Sequence, residues 1–134
     1  AQAFWQRVAD DVAAGKRALL VAEDAHGIVG TVQLVLEQPE NQPHRADVSK
    51  MLVHRRARRQ GLAAELMRAL EVEARARGKT VLVLDTVTGG DAERLYARLG
   101  RQRVGEVPDV ALWPQGGLCG TTFFHRQLAP MAAR

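Results

Sequence analysis

Apolar positions along this chain alternate between helical and strand periods, and the switches mark out its elements. Phe4, Val8 and Val12 fall four residues apart, with Trp5 and Ala9 beside them, which predicts an opening helix that stops at Gly15. Ala18 to Glu23 and Ile28 to Leu36 read as strands. The turn residues Asp24-Ala25-His26-Gly27 join them into a hairpin. Glu37 to Ala46, with two prolines and an asparagine, reads as a loop, and Val48 to Val53 as the next strand. Leu62, Leu66, Ala69, Leu70, Glu73 and Ala74 set out a helix over Gly61 to Arg77, with Gly78 just past its cap. The unbroken run Val81-Leu82-Val83-Leu84 predicts a central strand covered on both faces. Asp91 is suited to cap a short helix that carries Leu95, Tyr96 and Leu99 and stops at Gly100. Val104 to Val107 and Thr121 to Gln127 predict two last strands, joined by a Pro- and Gly-rich excursion.

The order helix, hairpin, strand, helix, strand, helix, strand pair mixes parallel and antiparallel pairing. The fold class is therefore α/β with a mixed sheet, an α+β-like layer architecture. At 134 residues, with no repeat or linker, the chain reads as a single domain over 1–134. No apolar run approaches the roughly 20 residues that span a bilayer, and nothing at the start resembles a signal peptide, so no membrane partner is expected. Cys119 is the only cysteine, which excludes an intramolecular disulfide and a cysteine metal cluster; no metal is expected, and a reducing cytoplasm is the simplest location. The net charge of +4 fits an anionic ligand without choosing one. An aromatic content of 4% is too sparse for a base-stacking platform, which ranks nucleic-acid binding last.

The most informative stretch is Arg58-Arg59-Gln60-Gly61-Leu62-Ala63, between a strand and a helix. Backbone N–H groups at a helix start have no intrahelical acceptor, and with the helix dipole they favour phosphate oxygens. Arg55, Arg56, Arg58 and Arg59 add positive charge there. The spacing Arg58-x-x-Gly61-x-Ala63 resembles the Q/R-x-x-G-x-G/A signature of the GCN5-related N-acetyltransferases. The resemblance implies that Arg58, Arg59, Gln60, Gly61, Leu62, Ala63 and Ala64 hold the pyrophosphate of acetyl-coenzyme A. It also implies that Met51, Leu52 and Val53 pair through their backbone with the pantetheine arm, between two strands that splay apart. Such domains usually open with a further strand and helix, so a leading segment is expected ahead of Ala1.

Ala92-x-x-Leu95-Tyr96-x-x-x-Gly100 resembles a second family motif, whose tyrosine commonly points at the thioester sulfur. A phenol of pKa about 10 stays protonated at neutral pH and can hydrogen-bond a departing thiolate of pKa about 8.5. Gly89 stands where many relatives carry asparagine, so the resemblance implies that this side-chain contact is either absent or replaced by Asp91 or a backbone group. As catalytic bases, Asp85 ends the central strand and Asp47 starts the strand before the loop; either needs burial to raise its pKa. Asp85 could instead cap a loop, and Asp47 could pair with Arg45. His44, Arg45, Lys50 and Trp113 are candidates for the acceptor pocket, with surface placement or packing as the plainer roles.

His44-Arg45-Ala46-Asp47-x-x-Lys50, Leu84-Asp85-Thr86 and Gly105-Glu106-Val107-Pro108 look similar to a bacterial branch that includes the tabtoxin-resistance acetyltransferase. That resemblance implies direct attack of the primary amine of a small amino-acid-like or antibiotic-like acceptor on acetyl-coenzyme A. The sequence also leaves room for a homodimer and for a non-catalytic acyl-coenzyme A-binding module.

Overall fold

The computed structural model describes residues 2–58 and 61–129, with side chains from residue 6 onward. Helix α1 (Gln2–Ala13) leads into the hairpin β1 (Arg17–Asp24) and β2 (Gly27–Val35), followed by β3 (Arg45–Val53) and a 3-10 turn (Arg55–Ala57). Helix α2 (Leu62–Ala76), β4 (Val81–Val87), α3 (Asp91–Arg98), β5 (Gln102–Leu112) and β6 (Leu118–Gln127) complete the order. The strands form one six-stranded sheet in the order β1-β2-β3-β4-β6-β5. Only β3 and β4 run parallel. This is the mixed architecture the apolar pattern predicts.

Helices α2 and α3 pack on one face of the sheet. Leu66, Met67 and Leu70 of α2 and Tyr96 of α3 share a buried cluster with Val32, Leu34, Ala46, Val48, Leu82, Leu84 and Phe124. The opposite face is tied to α1 by Arg17, which bonds Gln33 at 2.6 Å and Asp11 at 3.2 Å. Leu82 and Leu84 are fully buried, whereas Val81 and Val83 are only half-buried. The expectation of a strand covered on both faces thus holds on one face alone, because α2 and α3 both lie on the Leu82–Leu84 side.

The helices end as the sequence predicts. After α3 the Gly100 N–H bonds the Ala97 carbonyl at 3.1 Å and the Arg101 N–H bonds the Tyr96 carbonyl at 3.0 Å. This paired closure needs a left-handed residue, and Gly100 supplies it with φ of 77°. The same two bonds close α1 around Gly15 and α2 around Gly78. After α2, the buried Lys79 ammonium bonds the carbonyls of Leu36 and Pro43 at 2.9 and 2.8 Å, pinning the β2–β3 connection to the helix end. Burial lowers the Lys79 pKa.

Several boundaries differ from the sequence reading. β3 begins at Arg45, inside the expected loop, because its first residues pair with β4 from Arg45↔Val81 onward. Asp91 is the first residue of α3 rather than its cap; Gly90 occupies the cap position without a side-chain bond. β5 runs through Pro108 to Leu112, past the expected end at Val107, by means of an irregularity between Val107 and Ala111 in which Asp109 has φ of 53°. The Pro- and Gly-rich excursion is a tight hairpin closed by the Trp113 N–H on the Gly117 carbonyl at 2.9 Å.

Candidate functional site

The parallel pair β3–β4 comes apart along its length. Its last paired residues are Val48 and Leu84, yet β3 runs on to Val53 and β4 to Val87. A bulge drives the separation. Between Thr31↔Leu52 and Gln33↔Ser49, β2 contributes only Val32 while β3 contributes Lys50 and Met51. Lys50 takes φ of 54°, a left-handed conformation uncommon for a side chain of its size. The extra residue bends β3 and increases its local twist. Beyond it, Leu52 and Val53 still pair with β2 on one edge, while the edge toward β4 has no partner strand.

That open edge borders a cleft of about 560 Å³. One wall is Met51, Leu52 and Val53, continuing into Arg58 and the start of α2 at Gly61 to Ala64. The facing wall is α3, through Asp91, Ala92, Leu95 and Arg98. At the junction Gly61 caps α2 with φ of 73° and ψ of 11°, and it makes no side-chain cap bond. This left-handed backbone, as much as close approach to an anion, is what selects glycine there. The first helical bond runs from the Glu65 N–H to the Gly61 carbonyl at 3.1 Å. The N–H groups of Leu62, Ala63 and Ala64 therefore have no acceptor within the helix.

The arginines divide their tasks. Arg56 is committed to Asp24 in the β1–β2 turn, at 3.0 Å. The Arg56 guanidinium and the His26 N–H hold the Asp24 carboxyl below the usual carboxylate range. Arg58 lines the cleft and reaches the Val53 carbonyl at 3.4 Å. Arg59 and Gln60 lie outside the described residues. The His54 Nδ1 accepts the Arg56 N–H at 3.2 Å and so caps the 3-10 turn that carries this loop.

Tyr96 is buried, its ring meeting Phe124 edge-to-face at 5.6 Å. Among the described residues no hydrogen bond engages its hydroxyl. Burial, reinforced by the nearby Asp85 charge and opposed by Arg101, pushes its pKa up to about 12. Asp85 is the first β4 residue past the last parallel pair, exposed at the point of divergence. Partial burial of its carboxyl and the Asp47 charge raise its pKa, while Lys50 lowers it. Asp47 faces the same side but is held by Arg45 in a two-pronged ion pair at 2.8 and 2.9 Å. Arg45 also bonds Gln42 at 2.6 Å.

His44 and Arg45 lie at the start of β3, the end away from the cleft, where the His44 carbonyl accepts the Thr80 N–H at 2.9 Å. The structure does not bring these two to the cleft. Trp113 is exposed at the β5–β6 hairpin, beyond the end of β4 at which the strands separate. Two residues that sequence reasoning passed over shape the α3 wall. The Gly89 N–H donates to the Glu93 carboxylate at 2.6 Å, and Arg94 holds both the Gly89 carbonyl and Asp91. Their spacing, four and five residues after the glycine that precedes the helix cap, is the signal that points to them.

Tyr96 is the chain's only tyrosine, so phenolate absorbance reports it alone. Titration of the folded protein is expected to give a midpoint near 12, against 10.0 for an unperturbed phenol. Because folding favours the protonated form, the stabilisation is complete below pH 10 and lost as pH rises toward 12. The difference corresponds to roughly 3 kcal/mol. A midpoint at 10 in protein still folded by circular dichroism would show the phenol to be solvated.

Comparison with known proteins agrees with this geometry. The family model described as "Acetyltransferase (GNAT) family" matches residues 2–100. The ribosomal-protein-alanine N-acetyltransferase of Brucella melitensis superposes with a TM-score of 0.81 at 26% identity, over 95% of this chain and 78% of that one. The Salmonella typhimurium protein YncA, solved with its cofactor acetyl-CoA, gives 0.79 at 26% identity, over 96% and 76%. A GCN5-related N-acetyltransferase of Kribbella flavida gives 0.72 at 28% identity, over 84% and 68%. The chain belongs to the GNAT acetyltransferase family. It is an N-acetyltransferase. Among the described residues no helix is long and apolar enough to cross a membrane.

Proposed function

We propose that this enzyme moves an acetyl group from acetyl-coenzyme A to the amine of a small amino-acid-like or antibiotic-like acceptor, by direct attack of the amine. The observation that carries the reading is the separation of β3 from β4, with the helix-start donors at one end and Asp85 and Tyr96 beside the gap. The residues present suit the acetyl donor. The N–H groups of Leu62, Ala63 and Ala64, with Arg58, would hold its diphosphate, each such bond contributing about 1.5–3 kcal/mol. The open edge of Met51 to Val53 would pair with its amide-bearing arm. The donor supplies an activated acyl group; the protein supplies orientation and proton control.

Tyr96 would donate a hydrogen bond to the departing sulfur, where its high pKa keeps the proton on the phenol. Asp85 would take a proton from the incoming amine, directly or through water, and its raised pKa makes it a better base than an ordinary aspartate. An α-amino acceptor near pKa 7.7 needs only about 1 kcal/mol to bare its lone pair at pH 7, whereas a lysine-type amine needs about 4.6 kcal/mol. The α-amine is therefore the favoured nucleophile. Arg45 would act by holding Asp47, while Trp113 would border the acceptor side from the hairpin.

Asp85→Asn is expected to lower turnover while raising the melting temperature at pH 7. Its carboxyl is harder to ionise folded than unfolded, so the charged form disfavours the fold above that raised pKa and ceases to do so below the unfolded value of 3.8. The gain should vanish near pH 3, and the acid limb of the pH–rate profile should disappear. Unchanged turnover would remove Asp85 from the mechanism.

The test of the function is incubation with acetyl-coenzyme A and a library of amino acids, amino-bearing antibiotics and peptides with N-terminal alanine, read by thiol release and acetylated mass shifts. The peptides address a second reading, a protein amino terminus as acceptor, favoured by the relative named for ribosomal-protein alanine. Binding of acetyl-coenzyme A without transfer to any amine would support a binding-only module instead.

A further inference from the structure

Glu71 is out of place on α2. It lies in the stripe of Leu66, Met67, Leu70 and Ala74 that faces the interior, with its side chain 9% exposed. An unpaired carboxylate there would be strongly disfavoured. It is met by the guanidinium of Arg101, whose side chain is 6% exposed, and by Arg126 Nε on β6 at 3.6 Å.

Arg101 follows Gly100 in the turn after α3. Its backbone N–H closes that helix on the Tyr96 carbonyl at 3.0 Å, and its side chain bonds the Leu99 carbonyl at 2.6 Å. A single residue therefore grips the end of α3 at two carbonyls and reaches across to α2. These two helices supply facing walls of the cleft, one carrying the helix-start donors and the other Tyr96.

We propose that Arg101, anchored by Glu71, is a positioning residue for Tyr96: it fixes the end of α3 against α2 and so sets the phenol where the sulfur of the acetyl donor is received. This rests on the reading of Tyr96 as the group that meets the leaving thiolate. Packing alone does not require an ionic bridge, since well-packed apolar side chains commonly serve as well or better at such a buried position. What the bridge adds is direction, because hydrogen bonds to Leu99 and Glu71 hold the turn in one orientation. It also leaves a positive charge beside Tyr96, acting against the effect of burial on the phenol.

The experiment is a double-mutant cycle of Arg101→Met and Tyr96→Phe, with Arg101→Lys as the conservative variant. Arg101→Met is expected to lower kcat about tenfold while KM for acetyl-coenzyme A stays within about twofold. In the Tyr96→Phe background the same substitution should change kcat by less than about twofold. Arg101→Lys, which keeps the charge, should recover part of the loss. An equal loss of kcat in both backgrounds overturns the proposal and leaves the Tyr96 reading standing. Unchanged kcat in Tyr96→Phe alone overturns both. Should Arg101→Met fail to fold, the cycle is run with Arg101→Lys, and the same pattern of coupling or its absence decides.

Discussion

Gly61→Glu is expected to weaken acetyl-coenzyme A binding by about a hundredfold or more in titration calorimetry, with the fold retained. Two effects combine. A side chain at φ of 73° costs roughly 1–2 kcal/mol if the backbone stays. If the backbone relaxes instead, the first N–H groups of α2 turn away, and losing two bonds to a charged oxygen costs about 3–6 kcal/mol. The carboxylate adds repulsion toward a diphosphate. The open space around a Cβ at this position leaves the folded protein free of clashes, so the loss should fall on binding. An acidic residue near a helix start is favourable to the helix itself, so α2 is not the casualty. Gly61→Ala, measured alongside, isolates the backbone cost from charge and bulk. Unchanged affinity in Gly61→Glu would sink the assignment of the loop to the diphosphate.

Tyr96→Phe should lower kcat about a hundredfold, within the range for loss of a positioned proton donor, with little change in acetyl-coenzyme A affinity. The distinguishing feature is stability. With no hydrogen bond to the hydroxyl among the described residues, its removal orphans no protein group. The ring remains against Phe124, so the melting temperature should hold or rise slightly. A loss of stability in proportion to the loss of rate would mark Tyr96 as a packing residue.

The sequence reading succeeded where one residue type forces one backbone answer. Gly15, Gly78 and Gly100 each end a helix through the same pair of bonds, and the apolar runs between turn residues located every strand. It fell short where the answer depends on a distant partner. The early start of β3 is decided by pairing with Val81, and the reach of β5 past Pro108 by pairing with β6. At the site, Met51 to Val53 and Gly61 to Ala64 come together as the motifs implied, because they are close in sequence. His44 and Arg45 do not join them, since proximity along β3 is not proximity to its far end. Glu71 was legible in principle: it falls in the buried stripe of α2, four positions after Met67 and three before Ala74, where a charge demands a partner. Nothing local says that the partner is Arg101, thirty positions further on.

The bulge at Lys50 has a consequence for how this region tolerates change. Up to Ser49, even-numbered residues of β3 face α2; beyond Lys50, Met51 and Val53 do. The cleft thus depends on a count of residues more than on their identity. Many side chains are compatible with positions 49 to 52, but deleting any one residue there would remove the bulge, restore a regular ladder with β2 in which Leu52 and Val53 keep their present faces, and let β3 run on straight beside β4. For anyone aligning or redesigning such chains, a one-residue gap at this point is the change that erases the site, although it leaves every motif letter in place.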